Sequence, residues 1–181
     1  MTAERTALPE VMVIDYGDRR QDNRGTSLSL FDSGALLSLG ISFGMVTAKL
    51  YRSDKAGTVY GIHMQKDCAK LVYCVRGRGL DYAVDLRRDS ENYLKWVCTE
   101  ISAENGKQVY IPKGFGHVFV SLEDGTENVM CCDGAFRAEQ RVRIRFDDPD
   151  IGIEYPDIPL IPAQHDTDAP LLGECENELW I

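Results

Sequence analysis

His63 and Lys70 are the residues of this chain whose types and spacing best suit chemistry. The histidine stands in Tyr60-Gly61-Ile62-His63-Met64-Gln65, a run that reads as strand. The lysine opens a second strand-like run, Lys70-Leu71-Val72, seven residues later. An imidazole titrates near neutral pH and accepts a proton there, and an ammonium can face the negative charge that then develops on an oxygen. Brought together inside a barrel, the two suit removal of the weakly acidic proton next to a carbonyl. Taken alone, a strand histidine is more often structural and a single lysine more often a solvated charge, so the surrounding pattern has to decide.

The elements that must position them read as short strands. From about residue 45 the candidates are 45–51, 58–64, 70–75, 80–86, 93–101, 108–111, 117–122, 127–132 and 141–146. Turn signals separate them at Asp54 to Gly57, Gly77 to Gly79, Arg88 to Glu91, Glu104 to Gly106, Pro112 to Gly116 and Glu123 to Gly125. This spacing predicts an all-β sandwich or barrel rather than an α/β sheet. Leu80-Asp81-Tyr82-Ala83-Val84-Asp85-Leu86 alternates cleanly, so that strand has an inward and an outward face. Upstream, Val11-Met12-Val13-Ile14 reads as a strand and Asp22-Asn23-Arg24-Gly25 as a turn presenting an arginine. Residues 26–44 are ambiguous: Leu28 to Leu39 fit a strand then a short helix, punctuated by Gly34, Gly40 and Gly44. The tail, 147–181, carries Pro149, Pro156, Pro159, Pro162 and Pro170, which rule out long helices. Ile151, Ile153, Tyr155, Ile158, Leu160, Ile161 and Trp180 predict an ordered arm laid over the barrel.

The chain has 181 residues, the length of one domain with a real core. Its formal net charge of −9 argues against nucleic acid or an anionic membrane surface as partner, while leaving room for a local cationic pocket. Six cysteines occur without a CxxC pair, and adjacent Cys131 and Cys132 are poorly placed to bridge each other; reduced thiols in a cytoplasmic protein are expected. The N-terminus lacks the apolar core of a signal peptide, and no run approaches the ~20 apolar residues of a membrane span.

Gly106-x5-Pro112-x-Gly114-x2-His117 resembles the second motif of the cupins, whose fold is a jelly roll or double-stranded β-helix. His63-Met64-Gln65 occupies the place of the first cupin motif, but Gln65 stands where a second histidine is usual and no glutamate follows at the usual spacing. Two histidines and a glutamine make a poor metal set, so no metal and no cofactor are expected. Gly61-Ile62-His63, Lys70-Leu71-Val72, Val84-Asp85-Leu86-Arg87, Ser102-Ala103-Glu104-Asn105, Ile111-Pro112-Lys113-Gly114-Phe115-Gly116-His117, Asp147-Asp148-Pro149 and Asp168-Ala169-Pro170-Leu171-Leu172 then recur in family order. Together, over about residues 11 to 173, they resemble the dTDP-4-dehydrorhamnose 3,5-epimerases.

The resemblance implies a single cupin-like domain over 1–181, with an N-terminal strand segment, a core at about 45–146 and an irregular C-terminal arm. It implies a homodimer whose N-terminal strands cross between subunits, acting on a nucleotide-linked 4-keto-6-deoxy sugar. His63 matches the base, Asp166 its carboxylate partner, Lys70 the lysine near the C4 oxygen, His117 a second pocket histidine and Arg24 an arginine for the diphosphate. The chain also departs from the family. Tyr60 replaces an arginine before the Gly-x-His, Met130 falls near the catalytic tyrosine, and Ala48-Lys49-Leu50-Tyr51-Arg52 replaces a Gln-x-Asn-x-Ser stretch. Lys49 or Arg52 can supply the lost positive charge, and Tyr51, Tyr60 or Tyr73 the lost acid; Tyr60 and Gln65 are further candidates for substrate contact. Two other readings remain open: a metal-dependent cupin enzyme using His63, Gln65 and His117, and a sugar-nucleotide binding protein without catalysis.

Overall fold

The computed structural model describes residues 1–135 and 141–175. The chain begins with β1 (Thr2–Arg5) and β2 (Met12–Asp15), a small hairpin of β3 (Arg20–Asp22) and β4 (Gly25–Ser27), and helix α1 (Ser33–Ser38). The ambiguous stretch 26–44 is thus strand end followed by a short helix, capped by Asp32 accepting from the Ala35 backbone N–H. Then come β5 (Thr47–Ser53), β6 (Thr58–Gln65), β7 (Lys70–Arg76), β8 (Arg78–Asp85), β9 (Trp96–Ser102), β10 (Gln108–Ile111), β11 (Phe115–Ser121), β12 (Thr126–Cys132) and β13 (Arg141–Arg143). The arm adds β14 (Ile161–Pro162), α2 (Gln164–Thr167) and α3 (Leu172–Cys175).

Two sheets face each other in the jelly-roll manner. One runs β1-β2-β10-β7-β12-β5, the other β13-β6-β11-β8-β9, with β14 joining β6 in parallel. Between the sheets, Val72, Cys74, Ala83, Phe115 and Phe119 close one end of the barrel with an apolar plug. The outer face of the second sheet is covered by the C-terminal arm, where Ile151, Ile153, Tyr155, Leu160 and Leu172 pack on Ile62, Tyr82, Val84 and Val118. The outer face of the first is covered by α1 and its flanks, where Leu36, Ile41 and Phe43 pack on Leu71, Tyr73 and Cys131. The arm is therefore ordered through its described part, held by side chains that would otherwise expose both faces of a sheet to water. Ile161 is largely exposed, and Trp180 lies outside the described residues.

Burial follows the period of two. Along β5, Thr47, Lys49, Tyr51 and Ser53 face inward while Ala48, Leu50 and Arg52 face outward. β6 breaks that rule. His117 on β11 pairs with His63, but Phe119, two residues on, pairs with Tyr60, three residues away, so β6 carries one extra residue there. The irregularity turns both Tyr60 and His63 to the barrel interior. Gly61 makes it possible: its φ is +134°, and a Cβ there would stand 2.4 Å from the His117 carbonyl oxygen.

Candidate active site

Both sheets open onto a cavity of about 310 Å³ at the mouth of the barrel. Strand β5 supplies Lys49 and Tyr51, β6 supplies Tyr60, His63 and Gln65, β7 supplies Lys70, β11 supplies His117 and Phe119, β12 supplies Asn128 and Met130, β13 supplies Arg141 and α2 supplies His165. Lys49, Lys70 and Arg141 line it, and no acidic side chain does among the described residues. A chain of net charge −9 thus turns a cationic wall inward, which favours an anion in the cavity.

His63 is gripped on both ring nitrogens. Its Nε2 lies 2.5 Å from Asp166 Oδ1, a carboxylate delivered by α2 from 103 residues further along the chain. Asp166 is almost wholly buried, and its other oxygen accepts from the Gly61 backbone N–H at 3.4 Å. Burial pushes the Asp166 carboxyl up, but hydrogen bonding and charge from His63 outweigh it and leave the carboxyl below its ordinary range. Burial likewise pushes His63 down, to about 4; its bond to Asp166 opposes that shift and the nearby charge of Arg141 adds to it. The imidazole is therefore neutral at working pH, donating from Nε2 to Asp166, with the lone pair on Nδ1 turned to the cavity. Arg141 Nη2 donates to that same Nδ1.

Lys70 is fully buried beside them, its Nζ donating to the His63 carbonyl at 3.2 Å. Loss of solvation lowers its pKa, partly offset by Cys132, Cys68 and Asp81 nearby. His117 forms a second pair, with Nε2 2.7 Å from Asp81 Oδ2. His165 stacks on His63, with ring centroids 6.2 Å apart and 17° between planes. Gln65 donates to the Ala135 carbonyl. Across the mouth, Tyr51 and Tyr60 meet edge to face at 5.3 Å. The Tyr60 hydroxyl donates to the Arg52 carbonyl at 3.3 Å.

The structure thus gathers His63, Asp166, Lys70, His117, Tyr60, Gln65 and Lys49 at one place. It leaves two expected residues outside. Arg52 is an exposed side chain paired with Asp54 and Glu127, because the alternation of β5 sends it to the face opposite Lys49 and Tyr51. Arg24 sits at the tip of the β3–β4 hairpin, 84 % exposed and paired with Asp22, away from this chain's own cavity. Arg141 and His165 were not anticipated as site residues. The alternation in Arg141-Val142-Arg143 marks a charged face but not that this face looks into the barrel. At the cupin metal positions, His63, Gln65 and His117 each hold a different protein partner. Among the described residues, the donor atoms that converge are those of His63, His165 and Asp166, within 4.8 Å of one another.

The chain that carries this imidazole–carboxylate pair beside a buried lysine has well-matched relatives. The family model described as dTDP-4-dehydrorhamnose 3,5-epimerase matches residues 5–174. The chain belongs to that family. It is 38% identical over 135 residues to the dTDP-4-dehydrorhamnose 3,5-epimerase of Sinorhizobium fredii, covering 72% of this chain and 69% of that one. It is 36% identical over 160 residues to a dTDP-4-dehydro-6-deoxyglucose 3-epimerase of Streptomyces sp, covering 86% and 81%. The crystal structure of the Legionella pneumophila dTDP-6-deoxy-D-glucose-3,5-epimerase in complex with dTDP-4-keto-L-rhamnose superposes with a TM-score of 0.92, at 30% identity, over 98% of this chain and 96% of that one. The cupin-type jelly roll expected from the sequence is thereby established. This member carries Met130 and Tyr60 in the same pocket as His63, which is paired with Asp166. No helix among the described residues is long and apolar enough to cross a membrane.

Proposed function

We propose that this chain is a cofactor-independent epimerase that inverts C3, C5 or both of a nucleotide-linked 4-keto-6-deoxy sugar. The observation that carries this reading is the His63–Asp166 pair facing a cationic cavity. His63 Nδ1 takes the proton next to the keto group, and the C–H electron pair flows into an enolate. Asp166 fixes the Nε2–H tautomer and stabilises the imidazolium that forms. Lys70 and Arg141 face the negative charge on the enolate oxygen, in a site where burial strengthens each interaction. The C–H must take the place of Arg141 on Nδ1, which frees the guanidinium for the oxyanion or the diphosphate. Proton return to the opposite face completes inversion. No electron is gained or lost overall, so the chemistry itself calls for no redox partner.

In this reading the sugar enters the barrel mouth while the nucleotide lies outside it, since about 310 Å³ suits a hexose ring. Arg24 then serves the pocket of a partner subunit in a cytoplasmic homodimer. Its distance from its own cavity supports this, as do the exposed apolar Met45, Val46 and Leu50 on and just before the edge strand β5.

The test is incubation with dTDP-4-keto-6-deoxyglucose and its CDP, GDP and UDP counterparts in D₂O. Deuterium at C3 or C5, with inverted product, is expected for at least one of them. His63→Ala should abolish incorporation, and wild-type rates in that variant would refute the assignment. Binding without exchange would favour a non-catalytic homologue, and stoichiometric metal in protein purified without chelator a metal-dependent one.

A further inference from the structure

Inversion needs two groups on opposite faces of the carbon, and Met130 cannot donate a proton. Three tyrosines were open as the second group, and the fold separates them. Tyr73 packs on the outer side of its sheet among Ile14, Leu36 and Leu71, with its hydroxyl at Cys131 Sγ. Tyr60 lines the cavity, but its hydroxyl is committed to the Arg52 carbonyl. Tyr51 lines the same cavity from the other sheet to His63. Among the described residues no hydrogen bond holds its hydroxyl in place.

Register locates it further. Tyr51 pairs with Asn128 and Lys49 with Met130, so Tyr51 is the diagonal neighbour of Met130 on the inward face. Such neighbours lie about 7–8 Å apart at the backbone, within the span of an aromatic side chain. The Tyr51 ring is steered by its edge-to-face contact with Tyr60. Resting on the epimerase reading above, we infer that Tyr51 is the acid that delivers a proton to the face of the enolate opposite His63. The phenol O–H breaks, the enolate π electrons form the new C–H bond, and the carbonyl is restored. The phenolate left behind faces the charges of Arg141 and Lys49, then regains its proton from water as the imidazolium gives one up. Burial raises the Tyr51 pKa, which keeps the phenol protonated at working pH.

The test compares wild type, Tyr51→Phe and Lys49→Gln on whichever of the four keto sugars the wild type turns over in D₂O. Tyr51→Phe removes one oxygen and keeps the ring against Tyr60, so folding is preserved, which a thermal melt verifies. Tyr51→Phe is expected to keep deuterium exchange, because His63 takes and returns a proton on one face. It is expected to lose inversion by about 10²–10⁴-fold. Inversion at the wild-type rate overturns the inference, as does loss of exchange together with inversion. Loss of inversion with exchange retained in Lys49→Gln instead of Tyr51→Phe also overturns it. Absence of exchange in the wild type overturns the epimerase reading and this one with it.

Discussion

His63 shows how neighbours set the protonation state of one side chain, and with it the proposed role as base. Burial and the Arg141 guanidinium keep the ring neutral down to a pKa of about 4, and Asp166 decides which nitrogen carries the proton. The sign of the pH effect follows. A protonated ring cannot accept, so kcat/KM should rise through about pH 4 and stay flat through neutrality, rather than rise near the ordinary 6.5. Arg141→Met removes a charge that pushes the ring down, so the acid limb should move upward; a pH–rate profile of both proteins checks it. Asp166→Asn should lower kcat by about 10²–10⁴-fold, with KM little changed, since it disturbs the tautomer and the imidazolium rather than substrate contacts.

At the scale of elements, the interior positions are set by alternation and by one exception to it. Alternation suffices for β5, where Lys49 and Tyr51 turn in and Arg52 turns out. Arg52 was a candidate because a cation was sought, and the period of two alone would have rejected it. β6 is the reverse case. Strict alternation would put Tyr60 and His63 on opposite faces, and only the extra residue beside Gly61 brings both inward. That extra residue depends on a register between strands over fifty residues apart in sequence, which local reading of either strand does not contain. Most of the strands, their turns and the all-β class were legible, because Gly, Pro and apolar alternation act locally. Arg141 was not, since the side of a short edge strand that meets the cavity is fixed by its partner β6. Gly61→Ala tests the exception. A Cβ 2.4 Å from a backbone oxygen, at a φ of +134°, should cost about 1–3 kcal/mol in urea denaturation and displace His63, reducing activity even where the protein still folds.

At the scale of the whole molecule, each sheet is finished by a terminal segment rather than by the barrel. α1 and its flanks shield the first, and the C-terminal arm shields the second. Leu172, nearly inaccessible to solvent, ties the end of the arm to that second sheet, and its backbone N–H is held by Asp148 Oδ2 at 2.7 Å. Leu172→Ala should therefore destabilise by about 2–4 kcal/mol, measured by chemical denaturation. The proposed dimer makes a separate prediction. If Arg24 serves the partner's cavity, mixing Arg24→Ala subunits with His63→Ala subunits generates one pocket with neither defect. Activity should then recover toward a fraction of the wild-type rate on mixing, while either variant alone stays weak.

The pairing of β14 with β6 and the docking of α2 have a temporal consequence. The carboxylate paired with the imidazole is made about a hundred residues after it, so a ribosome-bound or clipped chain ending before α2 lacks that partner. Cleavage between the barrel and α2 should therefore lower turnover, both by separating Asp166 from His63 and by uncovering the apolar face that the arm shields.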